Sequence, residues 1–257
     1  MRELDLALWG PSAAGKTALL AQLFLLPSSA GEGWEVFPTE ASLPFVEQMQ
    51  ARLQTENLFP EANTVGAVDK LLYHFINRAA GIRASLHVED RAGKESEEMN
   101  EEGQRRLNAA HGLMLLFDPM RERERLRDEV IRALQRLYVT RQHGADLDPR
   151  DPRPIAVCLS KADLLIRTPE DALRARREPD AFVRERMVPE LGGWIDRFCA
   201  NYRLFPVSAA GIRVRRGVVE PVVFYDEGLR LRIGLGGEPF NLIEPFLWIF
   251  RQLEGRA

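Results

Sequence analysis

Near the start of the chain, Gly10-Pro-Ser12-Ala13-Ala14-Gly15-Lys16-Thr17 follows the spacing G-x-x-x-x-G-K-[ST] without a mismatch. The residue types suit one ligand chemistry. Glycines let the backbone wrap closely around phosphate groups, and successive amide N–H groups point inward as an anion nest. A helix opening at the lysine adds the partial positive charge of its N-terminus. Lys16 then reaches the β- and γ-phosphates of a nucleoside triphosphate, and the Thr17 hydroxyl ligates Mg2+. The apolar run Leu4–Trp9 reads as the strand that must precede such a loop, and Lys16–Leu26 as the helix that must follow it. This segment implies a bound nucleoside phosphate.

Three further segments sit at strand ends. Asp90-Arg91-Ala-Gly93 closes the run Ile82–Asp90, where an aspartate can hold Mg2+ through water and the glycine N–H can meet a γ-phosphate. Ser160-Lys161-Ala-Asp163 follows the apolar run Pro154–Leu159. A carboxylate there can accept both N1–H and the 2-amino group of guanine, two donors that adenine does not present together, while the lysine stem lies along the base. Ser208-Ala209-Ala210 follows Arg203–Val207, placing backbone N–H groups where a guanine O6 would lie. Lysine is scarce: Lys16, Lys70, Lys94 and Lys161 are the only four, against many arginines, and two of the four fall in these motifs.

The ordered set GPSAAGKT, DRAG, SKAD and SAA resembles the Ras-like G domain of the TRAFAC class of GTPases, over roughly residues 4–208 and the final helix. More narrowly, the chain is similar to bacterial double-GTPase-like families of conflict and signalling gene clusters. The features that carry this are the Trp34 insertion, the stretch Leu58–Thr64 and the ending Glu238–Trp248. The resemblance implies an α/β phosphate-loop NTPase fold of three layers, whose mostly parallel six-stranded sheet has one antiparallel edge strand. It also implies Mg2+-dependent GTP/GDP binding, two switch regions that report the γ-phosphate, and a protein effector or activating partner. Carried over residue by residue, the nucleotide would contact Gly10, Ser12, Ala13, Ala14, Gly15, Lys16, Thr17 and Ala18. At the base end it would meet Ser160, Lys161, Asp163, Leu164, Ser208, Ala209 and Ala210. Lys16, Thr64, Arg91 and Gly93 would serve catalysis, and Thr17, Thr64 and Asp90 the metal.

The chain departs from that pattern in three places. Ser160 stands where asparagine is commonest, which puts a stabilising side-chain contact in question. Lys94 follows Gly93, where Ras-like proteins place the glutamine that orients the attacking water, and an ammonium cannot accept a hydrogen bond from that water. Slow intrinsic hydrolysis is the expectation, with Arg91 or a partner's arginine available to stabilise transition-state charge. Finally, the distance from Thr17 to the switch threonine is long; Thr64 is the first choice for that role and Thr39 the competitor. The leading reading is a GTP-binding switch with slow GTPase activity. Its rivals are an ATP-using phosphate-loop enzyme such as a nucleotide kinase, and a scaffold that binds nucleotide without hydrolysing it.

The elements that would position these residues alternate strand with helix along 257 residues, which argues one α/β domain with a mostly parallel sheet. Insertions are expected at about 27–63, with a helix within Leu43–Leu58, and at about 212–236 as a β-hairpin around Asp226-Glu-Gly228. The hairpin is either an added recognition element or a solvent-exposed decoration. Lys70–Arg78 and Ile82–Asp90 read as a hairpin, Ala172–Asn201 as a helical stretch broken at Pro179 and Pro189, and Phe240–Leu253 as an amphipathic closing helix. A hydrophobic content of 45% and a charged content of 28% exclude a disordered chain, and a net charge of −3 gives no footprint for nucleic acid. No apolar run reaches the roughly 18 residues of a membrane span. Cys158 and Cys199 form neither metal spacing nor a disulfide framework, which fits a reducing cytoplasm. The four histidines show no ligand spacing and are assigned no role, and the Arg/Glu run at 121–127 reads as a solvated helix face.

Overall fold

The structure is a computed structural model that describes residues 2–11, 13–25, 33–58, 71–88, 101–141, 150–187, 189–228 and 230–255. Strand β1 (Arg2–Trp9) leads into the phosphate-loop segment and helix α1 (Lys16–Phe24). Then come β2 (Glu35–Pro38), α2 (Leu43–Gln50), β3 (Leu71–Asn77) and β4 (Ile82–Val88). Next are α3 (Glu101–Ala109), β5 (Gly112–Phe117), α4 (Arg123–Arg141) and β6 (Ile155–Leu159). Three short helices, α5 (Pro169–Arg177), α6 (Pro179–Arg186) and α7 (Pro189–Phe198), precede β7 (Tyr202–Pro206). Each has proline in its first turn, where the missing N–H costs nothing and the fixed φ favours a helix start; the prolines therefore make three helices here.

Among the described residues, seven strands pair in the order β2-β3-β4-β1-β5-β6-β7. β4, β1, β5, β6 and β7 are mutually parallel, and β3 runs antiparallel to β4. The sheet thus has one strand more than the six expected, and its antiparallel strand is not at the edge. β2, paired antiparallel to β3 with Val36 opposite Phe75, takes that place. Its sequence, Glu-Val-Phe-Pro, is too short to show a period, so it lay unread inside the 27–63 insertion. In the same stretch α2 continues as a π-helical turn over Ala51–Thr55, so helical structure runs within Leu43–Leu58, where a helix is expected.

Successive residues of the central strands feed two separate cores. Leu4, Leu6 and Leu8 of β1, with Met114 and Leu116 of β5, pack towards α1, α2 and a last helix, α8 (Glu244–Glu254). Leu113, Leu115 and Phe117 of β5, with Ile155, Val157 and Leu159 of β6, pack towards α4, α6 and α7. Burial on both faces is why β5 and β6 read as unbroken apolar runs. β4 instead alternates buried and half-exposed residues. Its half-exposed side brings three histidines together with neighbours: His74 contacts Arg83 (2.9 Å) and Ser85 (3.2 Å), and His87 contacts Asp5 (3.2 Å). His111 Nδ1 accepts the Asp5 N–H at 3.0 Å. Among the described residues no helix is long and apolar enough to cross a membrane.

Beyond β7 the chain builds more than the single hairpin expected. β8 (Ser208–Arg215) pairs antiparallel with β9 (Val218–Glu220) and with β12 (Glu238–Phe240). Between them β10 (Val223–Tyr225) and β11 (Leu231–Ile233) form a hairpin around Asp226-Glu-Gly228. Gly211, at φ +78°, lies so close to β12 that a Cβ would sit 2.2 Å from the Glu238 carbonyl carbon.

Candidate nucleotide site

The phosphate-loop segment is shaped by close approaches that side chains would block. A Cβ on Gly10 would stand 2.5 Å from the Leu116 carbonyl oxygen, so only glycine lets β1 turn over β5 at this height. Ala13 and Gly15 take left-handed conformations, at φ +62° and +87°, and the chain curls before α1 starts at Lys16. The Lys16 side chain is buried, and its ammonium folds back to donate to the carbonyls of Gly10 (2.8 Å) and Pro11 (3.0 Å). Those bonds hold it over the loop, at the N-terminus of α1.

The base-side motif is fixed by the same strands. Ser160, leaving β6, donates through N–H (2.8 Å) and Oγ (3.0 Å) to the Phe117 carbonyl at the end of β5. Ser160, standing where asparagine is commonest, thus makes a side-chain contact of its own, to the end of β5. Ser160 Cβ also lies 3.6 Å from where a Gly15 Cβ would be, which sets this motif against the phosphate loop. Lys161 is left-handed at φ +50°, and its ammonium pairs with Asp118, a residue not singled out in the sequence. Asp118 is buried and also accepts the Met120 N–H at 2.9 Å. An aspartate one step past an apolar strand was the only sign of it.

Asp163 sits in a 3-10 turn over Ala162–Leu165, and its Oδ1 accepts the Ser208 hydroxyl. Ser208 Oγ in turn accepts the Gly211 N–H at 2.8 Å. Ala162 N–H donates to the Val207 carbonyl (3.1 Å), so the turn and the start of β8 are stitched together. Burial raises the Asp163 carboxyl above its ordinary value, opposed first by the Ser208 hydrogen bond. The Ser208-Ala209-Ala210 segment thus opens a strand instead of forming a loop.

A cavity of about 550 Å3 joins these pieces. Lys16, Thr17 and Ala18 line one end, and Ser160, Lys161, Asp163, Leu164, Ala209 and Ala210 the other. Ala13 and Gly15 also face it, whereas Gly10, Ala14 and Ser208 are not among its lining residues. Ser12, Thr64, Asp90, Arg91, Gly93 and Lys94 lie outside the described residues. Thr39 caps the turn before α2, with its Oγ1 3.0 Å from Ser42 Oγ, and does not line the cavity. Among the described residues no group of three carboxylate, histidine or cysteine side chains could hold a metal. Thr17 is the described residue whose hard oxygen, at the phosphate end, fits an ion that keeps most of its ligands as water and phosphate.

The far wall was missed in the sequence. It comes from the β10–β11 hairpin, through Val223, Phe224, Tyr225, Arg230 and Leu231, and from Leu58. The hairpin turn is knit by Asp226, whose carboxylate accepts the N–H groups of Gly228 (3.0 Å) and Arg230 (2.9 Å) and pairs with Arg230 and Arg232. These contacts, the Arg230 N–H foremost, hold the Asp226 pKa at about 2. The signal available was an aromatic pair beside an Asp-x-Gly turn, which marks a hairpin but not what it faces.

Among known proteins, the chain is similar to two solved crystal structures of SsGBP, single-substitution variants with a glycine replaced by proline or by serine. Identity is 13% in both; each match covers 81% of this chain and 50% of that one, with TM-scores of 0.37 and 0.39. The chain therefore spans about half the length of those structures. No curated protein matches it. The family model described as Double-GTPase 2 matches residues 6–195, well over half the chain, a span that takes in the phosphate loop and the Ser160–Asp163 motif. With a GTPase-like phosphate-loop domain on a large, mostly parallel sheet, the chain belongs to the Double-GTPase 2 family.

Proposed function

We propose that the chain is an Mg2+-dependent GTP-binding switch with slow intrinsic hydrolysis, activated by a protein partner. The observation that carries the reading is the placement of Asp163 in one cavity with Lys16 and Thr17. In this reading Asp163 accepts N1–H and the 2-amino group of guanine with its two carboxylate oxygens, one of which also accepts the Ser208 hydroxyl, and Lys161, steadied by Asp118, lies along the base. The loop amides and Lys16 take the phosphates; to do so, the ammonium exchanges its bonds to Gly10 and Pro11 for phosphate oxygens. Thr17, Thr64 and Asp90 would hold Mg2+, which would supply charge neutralisation at the β- and γ-phosphates. Water attacks the γ-phosphorus, the bond to the β,γ-bridging oxygen breaks, and GDP and inorganic phosphate form, one proton of the water staying on the phosphate and the other passing to solvent. Gly93 offers its N–H to the γ-phosphate and Arg91 counters the developing charge. Lys94, unable to accept a hydrogen bond from the attacking water, keeps turnover slow until a partner completes the site.

The test is binding of fluorescent GDP and ATP analogues with Mg2+, to wild type and Asp163→Ala, followed by phosphate release from GTP. Guanine-selective binding that the substitution abolishes, with slow release of phosphate, is the expected result. ATP binding as tight as GDP binding and indifferent to Asp163 would replace this reading with an ATP-using enzyme. Tight guanine binding with no release would make the chain a static scaffold.

A further inference from the structure

We propose that the β10–β11 hairpin is the second jaw of the base pocket, with Tyr225 stacking on the nucleobase face opposite Lys161. This rests on the guanine reading of Asp163. Tyr225 is 69% exposed, so its ring contributes little to either core, yet it lines the cavity together with Val223 and Leu231, which share its face of the hairpin, and the cavity's other wall is Lys161 and Asp163. An aromatic ring left largely in water on a three-residue strand finds a use when a flat π-system slides beneath it. The strand cannot wander from that position. Asp226 closes its turn, and Gly234 N–H donates to the Val222 carbonyl at 2.6 Å.

The jaw is also hinged to the segment that runs towards Thr64. Arg232 Nη1 donates to the Glu56 carbonyl (2.6 Å) and Ile233 N–H to the Asn57 carbonyl (2.9 Å). Leu58 bridges to Arg232 and itself lines the cavity. With the hairpin so held, nucleotide must part from the ring that covers its base in order to leave, so the hairpin slows release.

The experiment is release of ribose-labelled fluorescent GDP and IDP, chased with excess unlabelled nucleotide. It compares wild type, Tyr225→Ala and Tyr225→Phe, with Val218→Ala on exposed β9 as control. Loss of base stacking should speed release on the order of tenfold in Tyr225→Ala, by the same factor for GDP and IDP, because a ring reads the base face and not its edge. Release from Val218→Ala and the melting temperatures should not change, and Tyr225→Phe should keep slow release. Unaltered release in Tyr225→Ala, in a protein whose Asp163→Ala form loses its preference for GDP over IDP, would overturn the jaw and leave the guanine reading standing. A wild type that binds neither nucleotide would overturn both.

Discussion

The Asp163 carboxylate is drawn from water by the 3-10 turn around it, and burial raises its pKa while the Ser208 hydroxyl pulls it back. For an acid with a raised folded-state pKa, the charge costs stability at neutral pH, and that cost disappears as pH falls through the folded pKa. Guanine recognition has the opposite sign, because it needs the ionised form. GDP affinity should therefore begin to fall at a pH above the ordinary aspartate value of about 3.9. Ser208→Ala, which removes the main opposing hydrogen bond, should move that fall to still higher pH; fluorescent-GDP titrations across the acidic range check both. At Gly10 steric exclusion decides: Gly10→Ala puts a methyl 2.5 Å from the Leu116 carbonyl and should cost about 1–3 kcal/mol in urea unfolding. The same substitution should weaken nucleotide binding. At this scale the sequence was most informative, since phosphate cradling and guanine pairing each demand particular residue types at fixed spacing. Asp118 and the Phe224–Tyr225 pair escaped because their partners lie 43 and more positions away, a separation that no local pattern encodes.

Arg153 does for the elements what no helix cap does alone. Its guanidinium pairs with Asp151, itself 1% exposed, and donates to the carbonyls of Leu107 (2.7 Å), Asn108 (3.1 Å) and Ala110 (2.8 Å). It thereby satisfies the open C-terminus of α3 and anchors the approach to β6. Asp151→Ala strands a partly buried cation, and the expected cost is about 3–5 kcal/mol by chemical denaturation. Replacing both residues by apolar ones should cost at least as much as Asp151→Ala, because the Leu107, Asn108 and Ala110 carbonyls then lose their donor, and a double-mutant cycle will read the coupling of the pair itself. Strands and helices marked by a clear order of apolar residues, alternating in β4, unbroken in β5 and amphipathic in α8, were legible from the sequence. β2 and the split of residues 208–240 into two small sheets were not, because strands of three or four residues owe their existence to the neighbours they pair with.

Over the whole molecule, both cysteines report on the cores. Cys158 and Cys199 are buried, and burial raises both thiols well above their ordinary range, so neither is a ready nucleophile. A thiol reagent such as Ellman's should label the native protein only as fast as it opens globally. Phe250→Ala should speed that labelling: its ring is fully buried and stacks on Trp34 at 3.9 Å, so truncation should cost about 3–5 kcal/mol. Phe250 and Phe246 belong to α8, yet they fill the same core as Leu4, Leu6 and Leu8 of β1. That feature fixes an order in time. A ribosome delivers β1 and the phosphate loop well before α8, with synthesis at about 5–20 residues per second between them. For on the order of ten seconds or more the nascent chain carries its phosphate-binding sequence beside an unsealed apolar face. That interval, closed only when α8 docks, is when holdase chaperones and proteases would find this protein.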